Sequence, residues 1–178
     1  MRETITTRHR AYLAFLERTL PAADEARAAA AVRLCRAMGA MQSSADEADA
    51  EGLTPLQRAA ADGAGARVLR GLVAARADVN GRDARGRTAL YLAAGAGHAD
   101  AVEALARLGA DVDAAERTRG ATPTFIAAQE GHVAVIEALG RLGADVNRAM
   151  NEGWTPLRRA TRDGHTAAVD ALRRLGAS

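Results

Sequence analysis

Small and apolar residues recur along this chain in short blocks punctuated by glycine, at an almost constant interval. Counted from Gly52 to Gly86, Gly120 and Gly153, the interval is 34, 34 and 33 residues. The recurring string reads roughly G-x-T-P-L-x-x-A-A-x-x-G-H-x-x-x-V-x-A-L-x-x-L-G-A-D-V-N. Self-similarity at a period of this size is the mark of a stacked repeat architecture.

Within each interval the pattern predicts two helices. Thr54, Thr122 and Thr155 each precede a proline, Pro55, Pro123 and Pro156. This places a hydroxyl acceptor at the N-cap and a proline at the first helical position, where no amide donor is needed. The first helix carries the small pairs Ala59–Ala60, Ala93–Ala94 and Ala127–Ala128, which let a neighbour approach closely. It ends at Gly63, Gly97, Gly131 and Gly164. A second helix follows with Val102, Leu105 and Leu108, then Ile136, Leu139 and Leu142, then Val169, Leu172 and Leu175. That i, i+3, i+6 spacing lines one face. Gly109, Gly143 and Gly176 stand where a left-handed residue closes a helix. The ADV-N or ADV-D stretch beyond them begins a projecting turn.

This repeat resembles the ankyrin family over residues 52–178, most closely in strings such as GHVAVIEALGRLGADVN, Gly131 to Asn147. The resemblance implies an all-α solenoid of stacked antiparallel helix pairs, with hairpin-like turns projecting from one edge and protein binding on the concave side. The expected units are an N-terminal helical and capping segment over 1–51, repeats over 52–85, 86–119 and 120–152, and a C-terminal capping repeat over 153–178.

Departures from the pattern carry their own expectations. One residue is inserted between Gly63 and Val68, and Arg76 stands in place of the closing glycine. A side chain there costs about 1 kcal/mol at positive φ, so the first unit is expected to end differently. Ala89 replaces the proline in the second unit, and the turn between Val112 and Gly120 is one residue longer. Thr124 replaces a leucine and should loosen the core. Arg173 and Arg174 give the last unit a polar outer face, as a terminal cap requires. Upstream, Leu13, Leu16 and Leu20 with Tyr12 and Phe15 form one stripe ending at Pro21, and Ala31, Leu34, Cys35 and Met38 form another ending at Gly39. The second stripe reads as a degenerate repeat capping the stack, the first as part of that cap or as a separate docking element. Gln42 to Glu51 reads as an enlarged, acidic turn.

Composition narrows the field further. The 178 residues are 48% hydrophobic but only 3% aromatic, which suits thin layers of small side chains rather than one core of large ones. A single cysteine, Cys35, excludes an internal disulfide. No run of about 18 apolar residues is present, and Glu17 with Arg18 breaks any signal-peptide core. A soluble monomer in the cytoplasm is expected, without excluding the nucleus. All 24 basic residues are arginines against 22 acidic ones, a formal charge of +2. Without lysine there is neither a P-loop lysine nor a Schiff-base lysine.

Apparent catalytic groups follow the period instead of converging. His98, His132 and His165 occur once per repeat, in layers about 8–10 Å apart, whereas zinc ligands must each lie about 2 Å from one ion. They are expected to bond turn backbone, and His9 stands alone. Gly63 and Gly65, or Gly95 and Gly97, lack the preceding strand of a dinucleotide site. Ser43, Ser44 and Ser178 sit in no nucleophile elbow, and Cys35 lies on a stripe expected to be buried. Asp78, Asp111 and Asp145 read as turn residues. No catalytic, cofactor or metal site is expected, and no enzyme activity.

The surface left free by the repeat is the expected site. The resemblance implies contacts at the turn tips and on the exposed side of the first helices. Here these are Arg85 and Arg87, Arg119, Gln129 and Glu130, Asn151, Glu152 and Trp154, and Arg162 and Asp163. Trp154, the only tryptophan, beside Arg158 and Arg162 has the composition of a binding hot spot, unless its ring simply covers its own backbone. With Arg58, Arg82, Arg117, Arg148 and Arg159 the same edge is arginine-rich, partly offset by Asp83, Glu116 and Glu130. It fits an adaptor, scaffold or inhibitor whose protein partner presents an acidic or phosphorylated segment. These arginines equally suit plain solvation of the surface. Arginine-mediated nucleic-acid binding is the alternative, disfavoured by the small net charge and the lack of interleaved aromatics.

Overall fold

The computed structural model describes residues 48, 49 and 51–178. The expectations for the N-terminal stripes, for Cys35 and for His9 lie outside these residues. Among the described residues there are eight helices and no strand. They fall into four consecutive pairs: α1 (Pro55–Ala61) with α2 (Ala66–Ala74), α3 (Ala89–Gly95) with α4 (Ala99–Arg107), α5 (Pro123–Gln129) with α6 (Val133–Arg141), and α7 (Pro156–Arg162) with α8 (Thr166–Arg174). First helices pack on first helices and second helices on second helices, giving two layers.

The caps explain why the first helices start where they do. Thr54, Thr88, Thr122 and Thr155 each accept a hydrogen bond from the backbone amide three residues on, at 3.2–3.3 Å. Ala89 therefore costs the second unit nothing, because the threonine and not the proline makes the bond. Between the layers, Ala59, Ala60, Ala93, Ala94, Ala127 and Ala128 have no exposed surface, alongside Leu69, Leu90, Leu105, Ile136, Leu139 and Leu172. Burying each leucine or isoleucine contributes roughly 1.5–3 kcal/mol.

The first unit ends as the others do, contrary to expectation. Arg76 takes φ 75°, in the same left-handed region as Gly109, Gly143 and Gly176. The reason lies in the closing hydrogen bonds. The Ala77 amide reaches the Leu72 carbonyl at 3.1 Å, as Ala110 reaches Leu105 and Ala144 reaches Leu139, each at 3.0 Å. Those bonds satisfy the last carbonyls of the helix and bury Ala77, so the chain accepts a strained arginine to keep them. The inserted residue instead shifts the start of α2, whose N-cap is Gly65 where the later units have a histidine. Thr124 is fully buried and its hydroxyl has no hydrogen-bond partner, so the leucine-to-threonine change puts an unpaired polar atom in the stack.

Where each second helix runs on into the projecting turn, a polar column joins successive units. Asn80 accepts from the Asp111 amide at 2.8 Å and donates to the Gly109 carbonyl at 3.2 Å. Asn147 does the same one interval later, with the Ser178 amide and the Gly176 carbonyl, at 2.9 and 3.3 Å. Between them Asp113 can only accept, from the Asp145 amide at 3.1 Å. Burial raises the pKa of its carboxyl, and the charges of Asp145 and Asp111 add to that.

Two substitutions are expected to stabilise the fold, each read from its denaturation midpoint. Arg76→Gly removes the left-handed penalty and should gain about 1 kcal/mol. Asp113→Asn supplies the missing donor and should gain about 1 kcal/mol near neutral pH. A raised folded pKa means that ionisation opposes folding, so wild-type stability falls as pH rises through that window. The advantage of Asp113→Asn should therefore shrink as pH drops below about 4.

Candidate protein-interaction surface

The projecting turns are built by a buried carboxylate. In the first two, Asp49 and Asp83 each accept two backbone amides through one oxygen: Glu51 and Leu53 at 2.9 and 3.0 Å, then Arg85 and Arg87 at 2.9 and 2.8 Å. Their second oxygens pair with Arg58 at 2.8 Å and Arg87 at 2.7 Å. Glu51 also pairs with Arg58. The third turn has its extra residue, and Glu116 replaces aspartate. The added methylene lets its carboxylate span the longer loop to the amides of Thr118 and Arg119. Burial alone would raise the Glu116 carboxyl, but its bonds from Thr118, Arg119 and Ala121 outweigh that and hold it below the usual range. In the fourth turn Met150 takes this place and is buried.

Successive turns are linked through their backbones. The Arg117 amide donates to the Arg85 carbonyl at 2.9 Å, and the Asn151 amide to the Arg119 carbonyl at 2.8 Å. A Cβ on Gly86 would fall 2.3 Å from Arg117 Cγ, and one on Gly120 2.5 Å from Asn151 Oδ1. The turns thus lie tip against tip along one edge.

Each histidine also joins two layers. His98 Nε2 lies 3.1 Å from the Ala61 carbonyl, His132 Nε2 3.0 Å from that of Gly95, and His165 Nε2 2.9 Å from that of Gln129. A carbonyl only accepts, so Nε2 carries the proton in each. The rings cover Gly63, Gly97 and Gly131, where a Cβ would meet them at 2.7–2.9 Å. Each histidine bonds backbone, but the acceptor is the last carbonyl of the preceding unit's first helix and not the turn as expected. Asp78, Asp111 and Asp145 each accept the amide two residues on at 2.9 Å, as turn residues do.

The expected contact residues divide by what they already hold. Half-buried Arg87 is paired with Asp83. The Gln129 side chain donates to Glu130 at 2.9 Å, and Asp163 pairs with Arg159 at 2.6 Å. Asn151 lies over Gly120. Arg85, Arg119 and Arg162 are exposed and make no ion pair with any described residue, and Glu152 is exposed beside them. Trp154 is half-buried against a second apolar cluster of Tyr91, Ala121, Phe125 and Met150. The guanidiniums of Arg158 and Arg162 lie over its ring, 5.1 and 5.2 Å from the centroid. The structure thus brings Trp154 together with Arg162. Arg158, expected beside Trp154, joins them over the ring, and Tyr91, which was not among the expected residues, lies in the apolar cluster below. The spacing of four from Trp154 to Arg158 to Arg162 is what brings both guanidiniums to the ring.

Tyr91 sits at the base of this surface. Burial raises its phenol pKa, with Glu116 and Asp83 adding to the rise and Arg119 and Arg87 opposing it.

A family model for ankyrin repeats, three copies, matches residues 26–116 and 113–178. The chain belongs to the ankyrin-repeat family. Ankyrin repeats are generally protein-protein interaction modules, and domains built from them are typically non-catalytic. No curated protein matches the chain. Among the described residues no helix is long and apolar enough to cross a membrane, and no group of three or more histidine, cysteine or acidic side chains is placed to hold a metal ion.

The turn bearing Arg119 depends on one charged acceptor. Glu116→Gln is expected to cost about 1–2 kcal/mol at neutral pH by weakening those charge-assisted bonds. A depressed folded pKa gives stability that is present above the unfolded pKa and lost as pH falls through the folded one. The difference between variant and wild type should therefore fade below about pH 4, measured by denaturation across pH.

Proposed function

We propose that the chain is a non-catalytic adaptor, scaffold or inhibitor, which holds a protein partner against its turn tips and the exposed, concave side of its first helices. The observation that carries this is the set of exposed arginines on the turn edge and over Trp154 that have no carboxylate partner among the described residues. On the second-helix side Arg107 and Arg141 pair with Glu103 at 2.8 and 2.9 Å, and Arg174 pairs with Glu137 at 2.9 Å. These bonds hold the Glu103 carboxyl below its ordinary pKa, the hydrogen bond from Arg141 contributing most. On the turn edge Asp49, Asp83 and Asp163 are taken by Arg58, Arg87 and Arg159, and Glu116 by backbone amides, so that Arg85, Arg117, Arg119, Arg158 and Arg162 have no carboxylate partner among the described residues.

The unpaired guanidiniums around a half-exposed tryptophan fit a partner bearing negative charge, in an acidic or phosphorylated segment. The small net charge of +2 favours such a local contact over a general attraction to nucleic acid.

Partner capture by the full chain, repeated with Trp154→Ala and Arg119→Glu, tests this reading. Each variant should fold as wild type does and lose most of the captured protein. Retention of the full set of partners by both variants would mean that the face is misassigned.

A further inference from the structure

We infer that the occupant of this edge is an extended peptide segment of a partner protein with an acidic side chain at about every third position, one of them seated between Arg158 and Arg162. The inference rests on the reading of the turn edge as protein-binding and gives that reading a chemical register.

The seat comes first. Arg158 and Arg162 lie one helical turn apart on α7, a spacing at which like charges repel. Neither has a carboxylate partner among the described residues. Both are instead gathered over the Trp154 ring, at 5.1 and 5.2 Å, and Trp154 is itself fixed against Phe125 and Met150. Stacking engages the faces of the guanidiniums and leaves most of their N–H edges open, with only a long 3.5 Å bond from Arg158 to the Gly153 carbonyl. Two guanidiniums so positioned are pre-ordered for a carboxylate, whose arrival also relieves their repulsion.

The register follows from the stack. Arg85 and Arg119 occupy corresponding places in consecutive turns, each immediately before the positive-φ glycine, Gly86 or Gly120. Consecutive units lie about 8–10 Å apart, and an extended chain advances about 3.3 Å per residue. Three peptide residues therefore span one unit, so acidic side chains at i and i+3 meet Arg85 and Arg119; in the last unit Glu152 holds the corresponding turn position, and the next acid turns to the Arg158–Arg162 seat on α7. Glu130 and Glu152 border the track and discourage a continuous run of acids.

The test uses two labelled synthetic peptides of ten residues and identical composition, one with glutamate at every third position and one with the glutamates grouped at one end. Binding to the full chain is followed by anisotropy, and by the emission of Trp154, the only tryptophan. The spaced peptide should bind about tenfold more tightly and perturb the emission. Arg158→Gln, Arg162→Gln and Arg119→Gln should each weaken it about fivefold or more, while Arg107→Gln and Arg141→Gln on the second-helix side should change it less than about twofold. Thermal melts verify that each variant is folded. Equal affinity for the two peptides, equal sensitivity to Arg107→Gln, or tighter binding of a single-stranded oligonucleotide would each overturn the inference. If the spaced peptide fails while Arg119→Glu still abolishes partner capture, the register is wrong and the face stands.

Discussion

Everything in this fold depends on how closely one repeat can lie on the next. The approach is set where an imidazole from one unit covers a glycine of the unit before it and donates to a carbonyl at the end of that unit's first helix. A side chain at Gly63, Gly97 or Gly131 would occupy the space of the ring, and all three already have positive φ. The glycine therefore serves twice, as the turn residue and as the floor for its neighbour. The buried alanine pairs maintain the same separation along the first helices.

This constraint decides which polar groups are available for anything else. Carbonyls at the helix ends are taken by histidines, amides of the turns by Asp49, Asp83 and Glu116, and polar groups of the loops leading into those turns by Asn80, Asp113 and Asn147. Each bond is worth about 1 kcal/mol net, and together they fix the turn tips as a rigid row. Rigidity matters for recognition because a pre-ordered surface loses little entropy on binding. The residues that stack the repeats are thus distinct from those that face outward, and the latter can change without disturbing the former.

Much of this was legible in the sequence because it is local. A threonine before a proline, a glycine after a helix and a histidine beside it each act within a few residues, so their period discloses the helix pairs. Tertiary outcomes were harder to read. Arg76 argued for a different helix end by its own preference, yet closing bonds to the helix and burial of Ala77 overrode it. Thr124 was marked as a weak point, but its unpaired hydroxyl is visible only in three dimensions. At the candidate site, the sequence pointed to Trp154 and its neighbouring arginines. It could not show that Asp163 and Arg87 are already paired while Arg158 is not, because pairing depends on rotamers and on the loops that consume each carboxylate.

The most direct measurement is a hydrogen-exchange footprint of the full chain with a captured partner bound. The account requires new protection at the amides of residues 84–87, 117–120 and 151–158, with α4, α6 and α8 unchanged beyond their existing protection. Protection concentrated on the outward faces of those second helices, with the turn tips exchanging as in the free chain, would contradict it.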